Sequence, residues 1–132
     1  MTARAVSIDD VAIAHTPPGG YGDALPTPIL AGCPDALVEG APDLCGVWIV
    51  AEVFVNDARV ETHPALGLAQ RIEQSGDRIV ITAAGVVHDM RCDGTEANGV
   101  HDVAEFDKQT PITVVATYED GVHVLRPVGL PV

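Results

Sequence analysis

The stretch from residue 85 to 106, GVVHDMRCDGTEANGVHDVAEF, contains two histidine–aspartate dipeptides. Alternate side chains of an extended strand point to opposite faces, so His88 shares a face with Met90, and Asp102 shares one with Phe106. If both faces point into a core, an imidazole and a carboxylate lie side by side in an apolar interior. A carboxylate neighbour raises the basicity of a histidine and fixes its tautomer, so this pair could act as a general base.

Tyr118 and His123 fall on the same inward side by the alternation of the last two runs. Either could donate a proton to a substrate while the His88–Asp102 pair removes one. Such a set suits proton transfer next to a carbonyl, as in isomerisation, dehydration, decarboxylation or cyclisation. The candidate catalytic residues are therefore His88, Asp102 and Tyr118.

Two other interpretations of the His88–Asp102 pair stay open. The pair can be a satisfied buried polar contact that fixes strand register, or it can orient a bound ligand. The assignment of faces also depends on register, because a slip by one residue would exchange His88 for Asp89 and Asp102 for His101.

The five histidines follow no recognised metal-ligand spacing. Neighbouring residues of a strand point to opposite faces, so one dipeptide cannot supply both of its side chains to an interior ion. His88, Asp102 and His123 could form a two-histidine, one-carboxylate set only if their strands meet at one level. We therefore expect neither a metal nor a cofactor.

The charge balance argues against several function classes. Seven Lys and Arg residues stand against 19 Asp and Glu, a formal net charge of −12 over 132 residues. Such a surface repels phosphate backbones and anionic lipids, so neither nucleic acid nor a membrane is expected as a partner. No run is long and apolar enough to span a bilayer, and Asp9 and Asp10 interrupt the start before a signal-peptide core forms.

The cysteines are Cys33, Cys45 and Cys92. An odd count without a secretory signal argues against a disulfide framework and predicts a soluble cytoplasmic protein. A bridge between Cys33 and Cys45 stays open.

The elements that would position the candidate residues are short strands. From residue 46 onward the sequence indicates one short strand after another, with almost no helical period. Residues 47–55 are nearly continuous in apolar residues, as in a strand covered on both faces, and later runs alternate apolar with polar residues. Gly76-Asp77 predicts a two-residue hairpin loop that places Ile72 opposite Ile81. The predicted strands cover residues 47–55, 58–63, 67–74, 78–83, 86–92, 100–106, 112–119 and 122–126.

Two further turn signals follow along the chain. Asp120-Gly121 predicts a type I′ hairpin that places Tyr118 opposite His123. Asp93-Gly94 and Asn98-Gly99 predict that the two histidine–aspartate runs form a hairpin with each other.

These signals together predict an all-β fold. A meander of about eight short strands buries its edges best by closing into an up-and-down antiparallel β-barrel. Residues 1–45 hold six of the ten prolines and are expected to form an extended Pro/Gly-rich N-terminal arm over strand 47–55. We expect one domain over residues 1–132, with the arm at 1–45, the meander at 46–126 and a tail at 127–132.

The segment Gly46-Val47-Trp48 before a strand meander resembles the calycins, the group of lipocalins and fatty-acid-binding proteins. In lipocalins this tryptophan closes the base of the barrel and a late arginine packs across it. Trp48 matches the first, and Arg126 is the candidate for the second. The resemblance implies a ligand cavity inside the barrel.

The function expected from these features is that of a soluble protein that binds a small apolar or amphipathic molecule inside the barrel. One alternative is a cofactor-independent isomerase, dehydratase or cyclase that uses His88, Asp102 and Tyr118. A second is a structural or interaction module with a filled core, and a homodimer through an edge strand is plausible for so short a chain. The expected ligand-binding residues are Trp48, Glu52, Phe54, Met90, Phe106, His123 and Leu125.

Overall fold

The computed structural model describes residues 6–22 and 25–129, and their regular structure is nearly all β. One short 3-10 turn, Ile8–Asp10, precedes nine strands in this part of the chain. The strands are β1 (Gly46–Ile49), β2 (Phe54–Val55), β3 (Ala58–Arg59), β4 (Ala69–Ser75), β5 (Arg78–Ala83), β6 (Val86–Arg91), β7 (Val100–Val103), β8 (Pro111–Glu119) and β9 (Val122–Pro127). They form antiparallel sheets ordered β1-β4-β5-β6, β2-β3 and β7-β8-β9. The all-β, antiparallel prediction is confirmed.

The predicted barrel is not observed, since no ladder joins the two larger sheets across the described residues. These sheets instead share one core, with Ile79 and Met90 from the four-stranded sheet and Val114 and Ala116 from the three-stranded sheet. The two edge strands of the four-stranded sheet differ. The arm covers β6, whereas the outer edge of β1 has no partner strand in the described structure.

Both predicted two-residue hairpins are confirmed. Ser75 pairs with Arg78 around Gly76-Asp77, and Ile72 lies opposite Ile81. Gly76 has a φ of 58°, which a glycine adopts at little cost. The β8–β9 hairpin turns at Asp120-Gly121 and likewise keeps the predicted cross-strand pairs.

The predicted hairpin between the two histidine–aspartate runs is wrong. β6 pairs with β5, and β7 pairs with β8, so residues 92–99 cross from one sheet to the other. Gly99 permits the pairing of β7 with β8, because a Cβ atom at this position would lie 2.0 Å from the carbonyl oxygen of Val114 on β8. The Asn-Gly dipeptide thus serves a close backbone approach and not a two-residue turn.

The N-terminal arm packs on the outer face of the four-stranded sheet. Ile8 and Leu30 bury their side chains against Val80 of β5 and Val87 of β6. The expected cover of strand 47–55 is not seen: this stretch breaks into β1 and β2, and all four residues of β1 are exposed. The arm therefore lies over the centre of the sheet and leaves the β1 edge open.

A buried arginine fastens the arm to this face. Arg78 Nε and Nη2 donate to the two carboxylate oxygens of Asp89 at 2.8 and 2.6 Å, and both residues are buried. A bidentate pair of this kind combines charge with fixed geometry. The other guanidinium N–H groups donate at 2.8–3.0 Å to main-chain carbonyls of the arm, those of Ile8, Val11 and Ala12.

The first residues of the arm also dock by their own backbone and hydroxyl groups. The Ala14 N–H donates to Asp89 Oδ2 at 2.9 Å. The Thr16 hydroxyl accepts from the Val87 N–H at 3.0 Å, on the outer edge of β6. The arm thus occupies the main-chain donor that an edge strand would otherwise expose.

Across residues 6–22 and 25–129, no helix has the length and apolarity that a membrane crossing needs.

Candidate functional site

His88 and Asp102 lie near one another, but each one's hydrogen bonds go elsewhere. The His88 side chain is half-buried on β6, with Nε2 2.9 Å from the Val103 carbonyl oxygen. Asp102 Oδ2 accepts from the Thr16 N–H at 2.9 Å, and Oδ1 accepts from the Val103 N–H at 2.8 Å. The carboxylate therefore holds the arm against β7, and His15 of the arm lies 3.5 Å from it.

This environment favours the charged form of Asp102. Burial alone would raise the pKa of the carboxyl group. The bonds from Thr16 and Val103, together with the nearby His88, outweigh that effect and hold the pKa below its usual value. A carboxylate with a lowered pKa and two main-chain donors is a weak base, which suits an anchoring role better than proton abstraction.

Tyr118 belongs to a separate, half-buried polar cluster. Its hydroxyl accepts from Gln74 Nε2 at 2.9 Å, and its ring centroid lies 5.7 Å from that of His123. Burial raises the pKa of the Tyr118 hydroxyl and lowers that of His123. Burial also raises the pKa of the adjacent Cys92 thiol to about 12. These groups are therefore neutral at pH 7, and none of their hydrogen bonds in the described structure reaches His88 or Asp102.

The expected ligand-binding residues do not surround a common space. Met90 lies in the core between the sheets, and His123 is half-buried with an unpartnered Nε2. Phe106 is 81 % exposed. The other four, Trp48, Glu52, Phe54 and Leu125, are exposed at separate positions on β1, the following loop, β2 and β9. Neither of the two cavities described below is lined by any of these seven residues.

The first cavity, of about 220 Å³, lies between the arm and the crossing from β6 to β7. Its polar walls include His15, Asp89, Arg91, His101 and Asp102. Most of these groups already have partners: Asp89 binds Arg78, Arg91 forms ion pairs with Asp9 and Asp77, and His101 Nε2 is 2.7 Å from the Glu96 carbonyl oxygen. The volume is small for a ligand site, and its polar groups serve the docking of the arm.

The second cavity is larger, about 490 Å³, and its lining differs in chemistry. It lies where the arm meets the end of β5 and the start of β4. We call it the Lys108 cleft. It is lined by Gly22, Leu25, Gly67, Leu68, Ala69, Thr82, Ala84, Gly85 and Lys108. Among the residues that the structure describes, Lys108 is the one titratable residue that lines the cleft, and none of the acidic ones does.

Backbone geometry positions the lysine. A Cβ atom at Gly20 would lie 2.8 Å from Lys108 Cδ, and one at Gly85 would lie 2.9 Å from its Cε. The two glycines therefore leave the space that the aliphatic stem occupies. Lys108 itself has a φ of 57°, in the left-handed region that residues other than glycine seldom adopt, and its N–H donates to the Ala104 carbonyl.

Two side chains beside the cleft have buried polar atoms that lack a hydrogen bond to the described residues. Thr82, which lines the cleft, is 1 % exposed, and its hydroxyl makes no hydrogen bond to any described residue. Arg71, its cross-strand partner on β4, leaves Nε and Nη2 buried without hydrogen bonds there. Its closest ionic partner is Glu73, at 3.7 Å. Unsatisfied buried donors are uncommon in folded proteins, where a protein group, a water molecule or a ligand satisfies most of them.

The sequence interpretation missed this cleft. The one available signal was composition, since Lys108 is the sole lysine of a strongly acidic chain. Thr82 gave no signal, because its burial depends on where the arm lies. No cluster of three or more His, Cys, Asp or Glu residues in the described ranges could hold a metal ion, and the three cysteines have free thiols.

Comparison with known proteins gave no relationship: no family model, no curated protein and no solved structure matches this chain. The resemblance to calycins stays a prediction.

Proposed function

We propose that this chain is a soluble, cytoplasmic small-molecule binding protein and that its ligand occupies the Lys108 cleft. The observation that carries the proposal is the cleft itself. Its volume of about 490 Å³ lies in the range of roughly 300–1,000 Å³ that small-molecule sites occupy. The cleft differs from the site expected inside a barrel, since it lies on the arm side of the four-stranded sheet.

The lining supports a binding role. Small-molecule sites combine apolar walls with a few polar groups that fix orientation. Leu25, Leu68, Ala69 and Ala84 give the apolar walls, and Thr82 and Lys108 are the polar groups. Gly22 and Gly67 let a ligand approach the main chain closely, because a Cβ atom at either position would meet no atom within 4 Å.

The alternative function, a cofactor-independent enzyme, has less support than ligand binding. His88 and Asp102 are bonded to the main chain, and Tyr118 lies in a neutral cluster whose hydrogen bonds do not reach them. An acid–base set needs donors and acceptors free to reach a substrate proton. The contacts of His88 and Asp102 instead favour the register-fixing and arm-anchoring interpretation.

A cavity-filling variant tests the proposal. Ala69 lines the cleft at the start of β4, and Ala69→Phe would place a ring in the ligand space. Ala58→Phe, at an exposed position of β3 that does not line the cleft, adds the same side chain as a matched control. Binding is measured by ligand-observed NMR with a mixture of small neutral, cationic and carboxylate molecules. Native mass spectrometry of each purified protein detects any co-purifying molecule.

We expect wild type and Ala58→Phe to bind a common subset of the mixture and Ala69→Phe to lose that binding. Equal binding by Ala69→Phe, with its circular dichroism spectrum unchanged, would show that the ligand lies elsewhere. Absence of any binding to the wild type would refute the proposed function itself.

A further inference from the structure

We infer that the ligand of the Lys108 cleft is a small monocarboxylate with a compact apolar body, and that Lys108 and Thr82 bind its carboxylate. This inference rests on the proposed function, because it names the chemistry of the molecule bound at the same place.

The first argument is the pairing of charges. Each arginine of the described chain, residues 59, 71, 78, 91 and 126, has a carboxylate within 4 Å. Lys108 forms no such ion pair with any described residue, even though acidic residues outnumber basic ones by 19 to seven. An ammonium group left free of carboxylates at the wall of a cavity is available to an anionic ligand.

The second argument is how the ammonium is held. The Lys108 stem lies over Gly20 and Gly85, which bring the arm and the β5–β6 turn together: the Tyr21 N–H donates to the Gly85 carbonyl at 2.7 Å. A lysine in the left-handed region is strained, and a glycine at this position would avoid the strain. A strained residue whose side chain lines a cavity is most simply explained by the function of that side chain.

The third argument is the unpartnered hydroxyl of Thr82. A hydroxyl can donate to a carboxylate oxygen, and a charge-assisted bond of this kind is about twice as strong as a neutral one. A bound carboxylate would satisfy the buried hydroxyl that the described residues leave unpaired.

The same lining argues against a phosphate. Phosphate sites gather several donors, as in an arginine fork or a nest of main-chain N–H groups at a helix start. The described lining offers one point charge and one hydroxyl, and the other side chains in it are apolar or absent. A ligand with one negative charge and a compact apolar body matches these groups.

The test compares three molecules with one ring and different head groups: cyclohexanecarboxylate, cyclohexanecarboxamide and cyclohexylmethylamine. Their dissociation constants are measured by calorimetry or NMR titration on the full chain at pH 7.5. Lys108→Gln removes the charge and keeps much of the aliphatic stem over the two glycines. Arg126→Gln, which removes one positive charge from the exposed ion pair between Arg126 of β9 and Glu119 of β8, is the control for net charge.

We expect the wild type and Arg126→Gln to prefer the carboxylate over the carboxamide by roughly 10- to 100-fold, the size of a hydrogen bond to a charged group. Lys108→Gln should abolish most of that preference, Lys108→Arg should retain part of it, and Thr82→Val should weaken carboxylate binding alone.

Two outcomes would overturn the inference. If the carboxamide or the amine binds the wild type as tightly as the carboxylate, and Ala69→Phe blocks it, the cleft binds small molecules but the anion assignment fails. If the carboxylate binds but Lys108→Gln and Arg126→Gln weaken it equally, net charge and not Lys108 determines affinity. Loss of all binding in every test molecule, by contrast, would count against the proposed function as well.

Discussion

The buried Arg78–Asp89 pair makes a strong prediction about the arm. Asp89→Ala would leave the Arg78 guanidinium buried without its carboxylate, while its bonds to the arm carbonyls remain. Breaking a buried pair by removing one partner costs about 3–5 kcal/mol, because the remaining charge is uncompensated. Domains of this size unfold with a free energy of roughly 5–15 kcal/mol, so the loss is a large fraction of the total.

Calorimetry and amide hydrogen exchange measure this effect together. A loss of 3–5 kcal/mol should lower the Tm by roughly 10–20 °C in a chain of 132 residues. The same variant should lose amide protection first in residues 6–16, because Asp89 also accepts from the Ala14 N–H. The exposed Arg126–Glu119 pair is the control, and Arg126→Ala should leave the Tm nearly unchanged.

The reasoning would be refuted if Asp89→Ala melted within about 2 °C of the wild type, or if it matched Arg126→Ala. Unchanged amide protection of the arm, with a lowered Tm, would show that the pair stabilises the sheet and does not fasten the arm.

The remaining predictions concern one buried hydroxyl and one carboxylate. Thr82→Val keeps the shape of the side chain and removes an unpartnered hydroxyl, so the ligand-free protein should melt higher by roughly 3–5 °C, or about 1 kcal/mol; a lower Tm would mean that the hydroxyl has a partner. Asp102→Asn should destabilise the protein by about 1–3 kcal/mol at pH 7, because the carboxylate accepts two main-chain N–H bonds. The pKa of Asp102 is lower in the folded state, so this contribution is complete above the ordinary carboxyl pKa of about 4 and is lost as pH falls through the lowered value. Urea titrations of both proteins from pH 7 to pH 2.5 measure it, and a difference that grows in acid would contradict the assignment.

Local turn chemistry made much of the sheet predictable. Gly76-Asp77 and Asp120-Gly121 specify two-residue loops. A two-residue loop determines which residues of its two strands lie opposite each other, counted outward from the loop. The β4–β5 and β8–β9 registers could therefore be counted directly from the sequence.

The pairing of β6 and β7 could not be predicted in the same way. Alternation shows which side chains share a face, but it does not identify the neighbouring strand. Asn98-Gly99 satisfies the rule for a hairpin, yet Gly99 is needed because β8 passes within van der Waals distance of its backbone. Only the three-dimensional packing distinguishes these two uses of a glycine.

The candidate site was still less predictable. Its walls come from the arm, the 67–69 segment, the end of β5 and the loop that carries Lys108, which are distant in sequence. Arg78 holds the arm by hydrogen bonds to main-chain carbonyl groups. Every residue type has the same main-chain carbonyl, so the amino-acid sequence does not show which of them accept these bonds. The sequence paired Asp102 with His88, but the partner that Asp102 binds, the Thr16 N–H, belongs to that arm.

The way Arg78 fastens the arm has a consequence for how the chain can vary. The guanidinium contacts the carbonyl oxygens of Ile8, Val11 and Ala12, and every residue type presents the same oxygen. Substitutions at exposed arm positions such as Asp10 and Ala12 should therefore be tolerated. A change at Arg78, by contrast, would remove these three hydrogen bonds for any arm sequence.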